Sequence, residues 1–177
     1  MINVRGKEVK NQFDELTVKE FETISNILKN NNLDYIDKYL TIFEIIGLGE
    51  ETDNITTDEL VDLIKQLEFS TIENVFTKEV EINGFKYVAY SGDEFKMLAK
   101  DFSLIENWVN NNENYMARVL AIIFKREDLS KIEHYTEAHL KLKTTLFENL
   151  LIKDYISYML YIDNSVIKKF KAINEIA

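Results

Sequence analysis

Two periods of apolar spacing run through this chain, and the points where one gives way to the other mark its elements. The opening INVRGKEVK alternates loosely around Gly6, which predicts a short hairpin or edge strand. From Thr17 the spacing becomes helical. Val18, Phe21, Ile24 and Ile27 form one apolar face, and Thr17 with Glu20 (T-V-K-E) has capping-box spacing. Asn30-Asn31-Asn32 ends that helix. A second helix is predicted from about Asp34 to Ile46, with Ile36, Tyr39, Leu40, Phe43 and Ile46 as its buried stripe. Gly47 and Gly49 stop it, because Gly takes the left-handed cap at little cost. A third helix begins at Thr56-Thr57-Asp58 and buries Leu60, Leu63, Ile64 and Leu67. Three capped helices in a row predict a small helical lobe.

The period then drops to two. Between Phe76 and Tyr90, Val80 and Ile82 alternate with Glu79 and Glu81, and Phe85, Tyr87 and Ala89 form one face of a return strand. Asn83-Gly84 between them suits a type I′ turn, since both residues tolerate positive φ. INVRGKEVK weakly echoes EINGFKYV, which allows the two hairpins to pair into one small sheet. From Asp93 the chain turns helical again. Phe95, Leu98, Phe102, Ile105, Trp108 and Val109 form a stripe with a break near Asp101. Tyr115 to Lys125 is the most apolar helix and is expected at the centre. Helices from Glu137 to about Leu150 and from Asp154 to about Ile173 complete the chain. The expected fold is α+β and mostly α-helical, a single domain over 1–177. It combines a helical lobe (about 14–70), a small antiparallel β-hairpin sheet (about 76–90) and a C-terminal helical bundle (about 93–177).

Composition narrows the classes. The 177 residues are 46% hydrophobic and 29% charged, a globular balance. No cysteine is present, so a disulfide framework and a thiolate zinc site are both excluded, and a reducing cytoplasm is the expected setting. The opening MINVRGKEVKNQFDEL lacks the apolar run of a signal peptide. No stretch reaches the ~18 apolar residues of a membrane span. The net charge of −10 argues against nonspecific nucleic-acid binding, which needs clustered Lys and Arg. Residues 1–100 hold 11 Lys and Arg against 20 Asp and Glu, whereas residues 101–177 hold 10 against 11. The N-terminal part is therefore an acidic surface suited to solubility or to a basic partner.

Candidate chemistry is sparse. IEHYTEAHLK, Ile132 to Lys141, holds both histidines of the chain, with Glu133 and Glu137 beside them. Zinc helices place two His four residues apart. His134 and His139 are five apart, about 500° of helical rotation, so one helix cannot aim both at one ion. Thr136 reads as an N-cap with Glu137 in the first turn, which favours a structural role over a metal-dependent enzyme using His134 and His139. There is no GxSxG, P-loop or GxGxxG, and the acidic Gly49–Asn54 loop lacks EF-hand spacing. No enzyme activity, metal or cofactor is expected. Tyr155, Tyr158 and Tyr161, with Met159 among them, recur at i, i+3, i+6. That spacing fits either a half-buried bundle helix or an aromatic partner-binding face.

Three segments carry a resemblance: FDELTVKEFETISNIL, VEINGFKYVAY and YMARVLAIIFKREDLSKIEHYTEAHLKLKTTLFENL. Their order resembles the layout of small tailed-bacteriophage morphogenesis proteins, including tail assembly chaperone-like proteins. The abundance of Asn, Lys and Ile fits the AT-rich genome of a phage of a low-GC host. The resemblance implies a non-enzymatic virion assembly protein that binds other phage structural proteins in the host cytoplasm. It equally admits a ring, connector, tail or baseplate component that stays in the virion, and a homo-oligomer. It transfers no residue roles, and neither nucleic acid nor membrane is an expected partner.

Overall fold

The computed structural model describes residues 1–67, 77–89, 99–111, 115–129 and 136–158, and its architecture is α+β and mostly helical. Contacts divide the chain into two compact units, Met1–Glu73 with Leu151–Lys153, and Asn74–Leu150 with Asp154–Ala177.

The first unit opens with β1 (Ile2–Val4) and β2 (Lys7–Val9), an antiparallel pair in the register Ile2↔Val9, Asn3↔Glu8, Val4↔Lys7. Then come α1 (Val18–Lys29), α2 (Tyr35–Phe43) and α3 (Thr57–Lys65). Each helix starts where a side chain satisfies a free N–H. Thr17 accepts from the Glu20 amide, Asp34 from the Asp37 amide and Thr56 from the Glu59 amide. The capping box expected at Thr17 is present, and a second one joins Thr56 to Glu59. The core gathers Val9, Phe13, Leu16, Val18, Ile24, Ile42, Phe43, Ile46, Leu48 and Leu60, all buried. Ile152 belongs to it as well. Its N–H donates to the Leu16 carbonyl at 2.9 Å, and Leu151 bridges Thr17.

Helix α2 passes into a π-turn over Glu44–Leu48, and Gly47 ends the helical run with φ +127°. Its role is more than a cap. The Lys10 N–H donates to the Ile46 carbonyl at 2.9 Å, so the chain after β2 runs against the turn. A Cβ on Gly47 would lie 2.5 Å from the Glu8 carbonyl oxygen. Ile36, expected in the buried stripe of α2, is instead 48% exposed. Helix α2 carries apolar residues on too many sides for one face to bury them all.

The second unit holds β3 (Glu79–Ile82) and β4 (Phe85–Ala89), joined by Asn83-Gly84 with positive φ at both residues, as the turn chemistry requires. Its described helices are α4 (Ala99–Asn110), α5 (Met116–Ile123) and α6 (Glu137–Glu148). Asp101, expected to break the stripe, lies buried in the first turn of α4, where a carboxylate complements the helix dipole. Helix α5 is buried nearly all round, as its composition predicts for a central helix.

Two expectations fail here. The helix predicted through Lys125 ends at Ile123, and Phe124–Arg126 forms a strand, β5, that pairs with β4. The two hairpins also do not share a sheet. β1 and β2 stand as one pair, and the second hairpin forms the order β3-β4-β5. Met159, Tyr161, His134 and most of the expected last helix lie outside the described residues.

Candidate functional site

Tyr155 and Tyr158 are each 3% exposed, so both rings are taken up by the core of the second unit. Phe124 is at the centre of that core. Its ring centroid lies 5.4 Å from Phe147, 5.5 Å from Tyr155 and 5.4 Å from Tyr158, and Tyr87 meets Phe147 edge-on at 5.9 Å. These separations are those of favourable aromatic pairs. The Tyr158 hydroxyl donates to the Thr77 carbonyl at 2.8 Å. Burial pushes its phenol up to about 12. Burial, then the charges of Asp154 and Tyr158, push the Tyr155 phenol up as well. The i, i+3 spacing, which fits either a half-buried helix or a partner-binding face, serves packing at these two positions.

Helix α6 breaks its own pattern beside this cluster. Lys143 is 2% exposed, with Nζ 5.8 Å from the Tyr87 ring centroid, while Leu142 is 67% exposed. Leu140, Lys143, Thr144 and Phe147 share one helical face, so the lysine occupies a core position. The ring face of Tyr87 offsets part of the cost of placing an ammonium there. At the helix start, Thr136 accepts from the His139 amide at 3.2 Å, which is the predicted N-cap. His139 is half-buried on α6. Among the described residues, no group of three or more His, Asp or Glu side chains could hold a metal ion. Among them too, no helix is long and apolar enough to cross a membrane.

The first unit presents an exposed apolar corner. At the α1–α2 corner, Leu28 is 45%, Tyr35 61% and Ile36 48% exposed. The Lys38 Nζ donates to the Leu28 carbonyl at 3.0 Å and holds the end of α1 beside the first turns of α2. Tyr35 packs against Tyr39 as a tilted pair with ring centroids 4.7 Å apart. Sequence reading missed Tyr35 and assigned Ile36 to the core. The available signal was the width of the apolar arc in YIDKYLTIF, which exceeds one buried face.

A second feature is a cleft of ≈ 320 Å3 between β1 and α3, lined by Asn3, Val4, Arg5, Ile55, Glu59, Asp62, Leu63 and Gln66. Polar ties fasten both ends of α3. Arg5 Nη2 donates to both Glu59 carboxylate oxygens at 2.9 Å, and Asn11 Nδ2 donates to the Gln66 carbonyl at 3.2 Å. Arg5 makes its contact from φ +51°, an uncommon conformation for its type. A parallel tie runs from Lys10 to the other capping glutamate, with Nζ 2.7 Å from both oxygens of Glu20. Thus each capping box of the T-x-x-E type is closed by a cation from the N-terminal hairpin or the residue just after it.

These ties set the carboxylates' acidity. The Thr56 amide, then Arg5, then the Thr56 hydroxyl hold the Glu59 carboxyl down to about 2. Burial raises Glu20, but the hydrogen bonds from Lys10 and the Thr17 amide outweigh it and leave the carboxyl lowered. A depressed carboxylate stabilises the fold fully above its ordinary value, here 4.5, and loses that contribution as pH falls through its folded value. The contribution of Glu59 should therefore fade between pH 4.5 and about 2. Arg5→Gln should move its midpoint up toward the ordinary range in a carboxyl-detected NMR titration. A wild-type midpoint near 4.5 would contradict this assignment.

No known protein family, no curated protein and no solved structure matches the chain. Any reading of its role therefore stands on the surfaces and the sequence themselves.

Proposed function

We propose that the chain is a non-enzymatic protein-binding component of bacteriophage virion assembly, tail assembly chaperone-like, acting in the host cytoplasm on other virion proteins. The observation that carries the binding role is the α1–α2 corner, where Leu28 near the end of α1 and Tyr35 and Ile36 at the start of α2 are each exposed. Aromatic and aliphatic side chains of this kind anchor protein interfaces. The phage setting rests on the resemblance of FDELTVKEFETISNIL, VEINGFKYVAY and the segment after Tyr115 to virion morphogenesis proteins. Residues 1–67 carry seven Lys and Arg against 14 Asp and Glu, so the fitting partner is an apolar segment with basic flanks.

The double variant Tyr35→Ser/Ile36→Asp tests the role. Both positions are exposed and the variant gives up only the Tyr35–Tyr39 pair, so stability should fall by no more than about 1.5 kcal/mol. Recovery of virion proteins with the tagged chain should fall about tenfold or more. Unchanged recovery would remove the corner from the interface. Mass spectrometry of purified particles tests the chaperone form. The chain should be absent from finished virions, and stoichiometric presence would replace a chaperone with a permanent structural component.

A further inference from the structure

The pair β1–β2 is a two-stranded ladder closed by Arg5-Gly6, with positive φ at both turn residues. That is the two-residue I′ geometry. The pair closing such a turn, Val4 with Lys7, exchanges backbone hydrogen bonds, and the next pair, Asn3 with Glu8, does not. The N–H and C=O of Asn3 therefore point away from β2, along the outer edge of β1. Among the described residues, no backbone bond outside the ladder takes them up. Asn3 also lines the cleft beside α3.

The α3 wall of the cleft is long enough for a short extended segment. Its two end ties, at Glu59 and Gln66, lie about 10 Å apart along α3. Extended chain covers that distance in about three residues. Val4 and Leu63 supply apolar contact, and Arg5 neutralises Glu59. Asp62 remains on the rim with its side chain 71% exposed, in an exposed pair with Lys65 that is worth little. The groups open to a partner are thus one backbone N–H, one backbone C=O and a carboxylate held only by that exposed pair.

We infer that this cleft accepts a short extended strand of a partner protein, bearing Lys or Arg, which adds to the outer edge of β1. Its backbone exchanges two hydrogen bonds with Asn3, and its cationic side chain meets Asp62. The inference rests on the protein-binding role proposed above and adds a second surface to it. A second copy of this chain fits less well, because the excess of acidic over basic residues in residues 1–67 makes copies repel.

The probe is a synthetic hexapeptide of alternating valine and lysine, titrated into the isotope-labelled full chain and followed by amide NMR. The Asn3 and Leu63 signals should shift, and the Asn3 amide should become protected from exchange. The same peptide with N-methyl groups along one backbone edge should bind about tenfold more weakly. Asp62→Lys, an exposed change that leaves the fold intact, should reverse the preference toward the valine–glutamate counterpart. Unmoved Asn3 and Leu63 signals, equal binding of the N-methylated peptide, or an unchanged preference in Asp62→Lys would overturn the inference. So would Asn3 protection that depends on the concentration of the chain alone, since a second copy would then fill the edge. Failure of the peptide with the Tyr35→Ser/Ile36→Asp phenotype intact would remove the strand site and leave the protein-binding role standing.

Discussion

Phe124→Ala is expected to destabilise the second unit by about 3–5 kcal/mol. Phe124 is fully buried, and three further rings, Phe147, Tyr155 and Tyr158, pack around it within 5.5 Å. Truncation removes the transfer energy of the ring and leaves a cavity that these rigid neighbours cannot readily fill. The site has little room to relax, because Phe124 also opens β5 and pairs with Ala89 across the ladder. Movement inward would disturb that register. Trp108, the only tryptophan of the chain, lies on α4 of the same unit with the Arg118 guanidinium 5.6 Å from its ring centroid. Urea unfolding followed by Trp108 fluorescence reads the effect directly. A loss below about 1 kcal/mol would mean that Phe124 is not the centre of this core.

Gly47→Ala should cost the first unit about 2–4 kcal/mol. Two effects add. An L side chain at φ +127° is strained whatever the space around it. The new Cβ would also meet the Glu8 carbonyl oxygen at 2.5 Å, and backbone on both sides leaves nothing flexible to yield. The accommodation open to the chain is to move β2 off the turn, which loosens the Lys10–Ile46 bond and uncovers Val9. The hairpin carries Arg5, and Lys10 follows it, so the ties to Glu59 and Glu20 would weaken with it. Circular dichroism of chemical unfolding measures the loss, and amide exchange at Lys10 locates it. Wild-type stability with a protected Lys10 amide would contradict the close approach.

What the sequence revealed of this fold was local. The Thr17–Glu20 box, the Thr136 cap and the Asn83-Gly84 turn each involve residues within four positions of one another, where side-chain chemistry alone decides the geometry. The misses depend on distant partners. Val119 to Phe124 reads as continuous helix, and only pairing with β4 turns Phe124–Arg126 into a strand. Tyr155 and Tyr158 show the same spacing whether they face a core or a partner, and the distant Phe124 and Phe147 decide it. The cleft was invisible for the same reason, since Arg5 and Glu59 lie 54 residues apart. The exposed corner was legible in part. The excess of apolar residues in YIDKYLTIF signals a second face, although not which of Ile36, Tyr39 and Leu40 would be left outside it.

The central claim is that this chain works by holding other virion proteins. Affinity purification of the tagged full chain from particle-producing cells tests it most directly, with the Tyr35→Ser/Ile36→Asp variant beside it and mass spectrometry of what each recovers. The account predicts that virion proteins are enriched with the wild type and lost with the variant. Recovery of the same proteins by both, or of no virion protein by either, would contradict it.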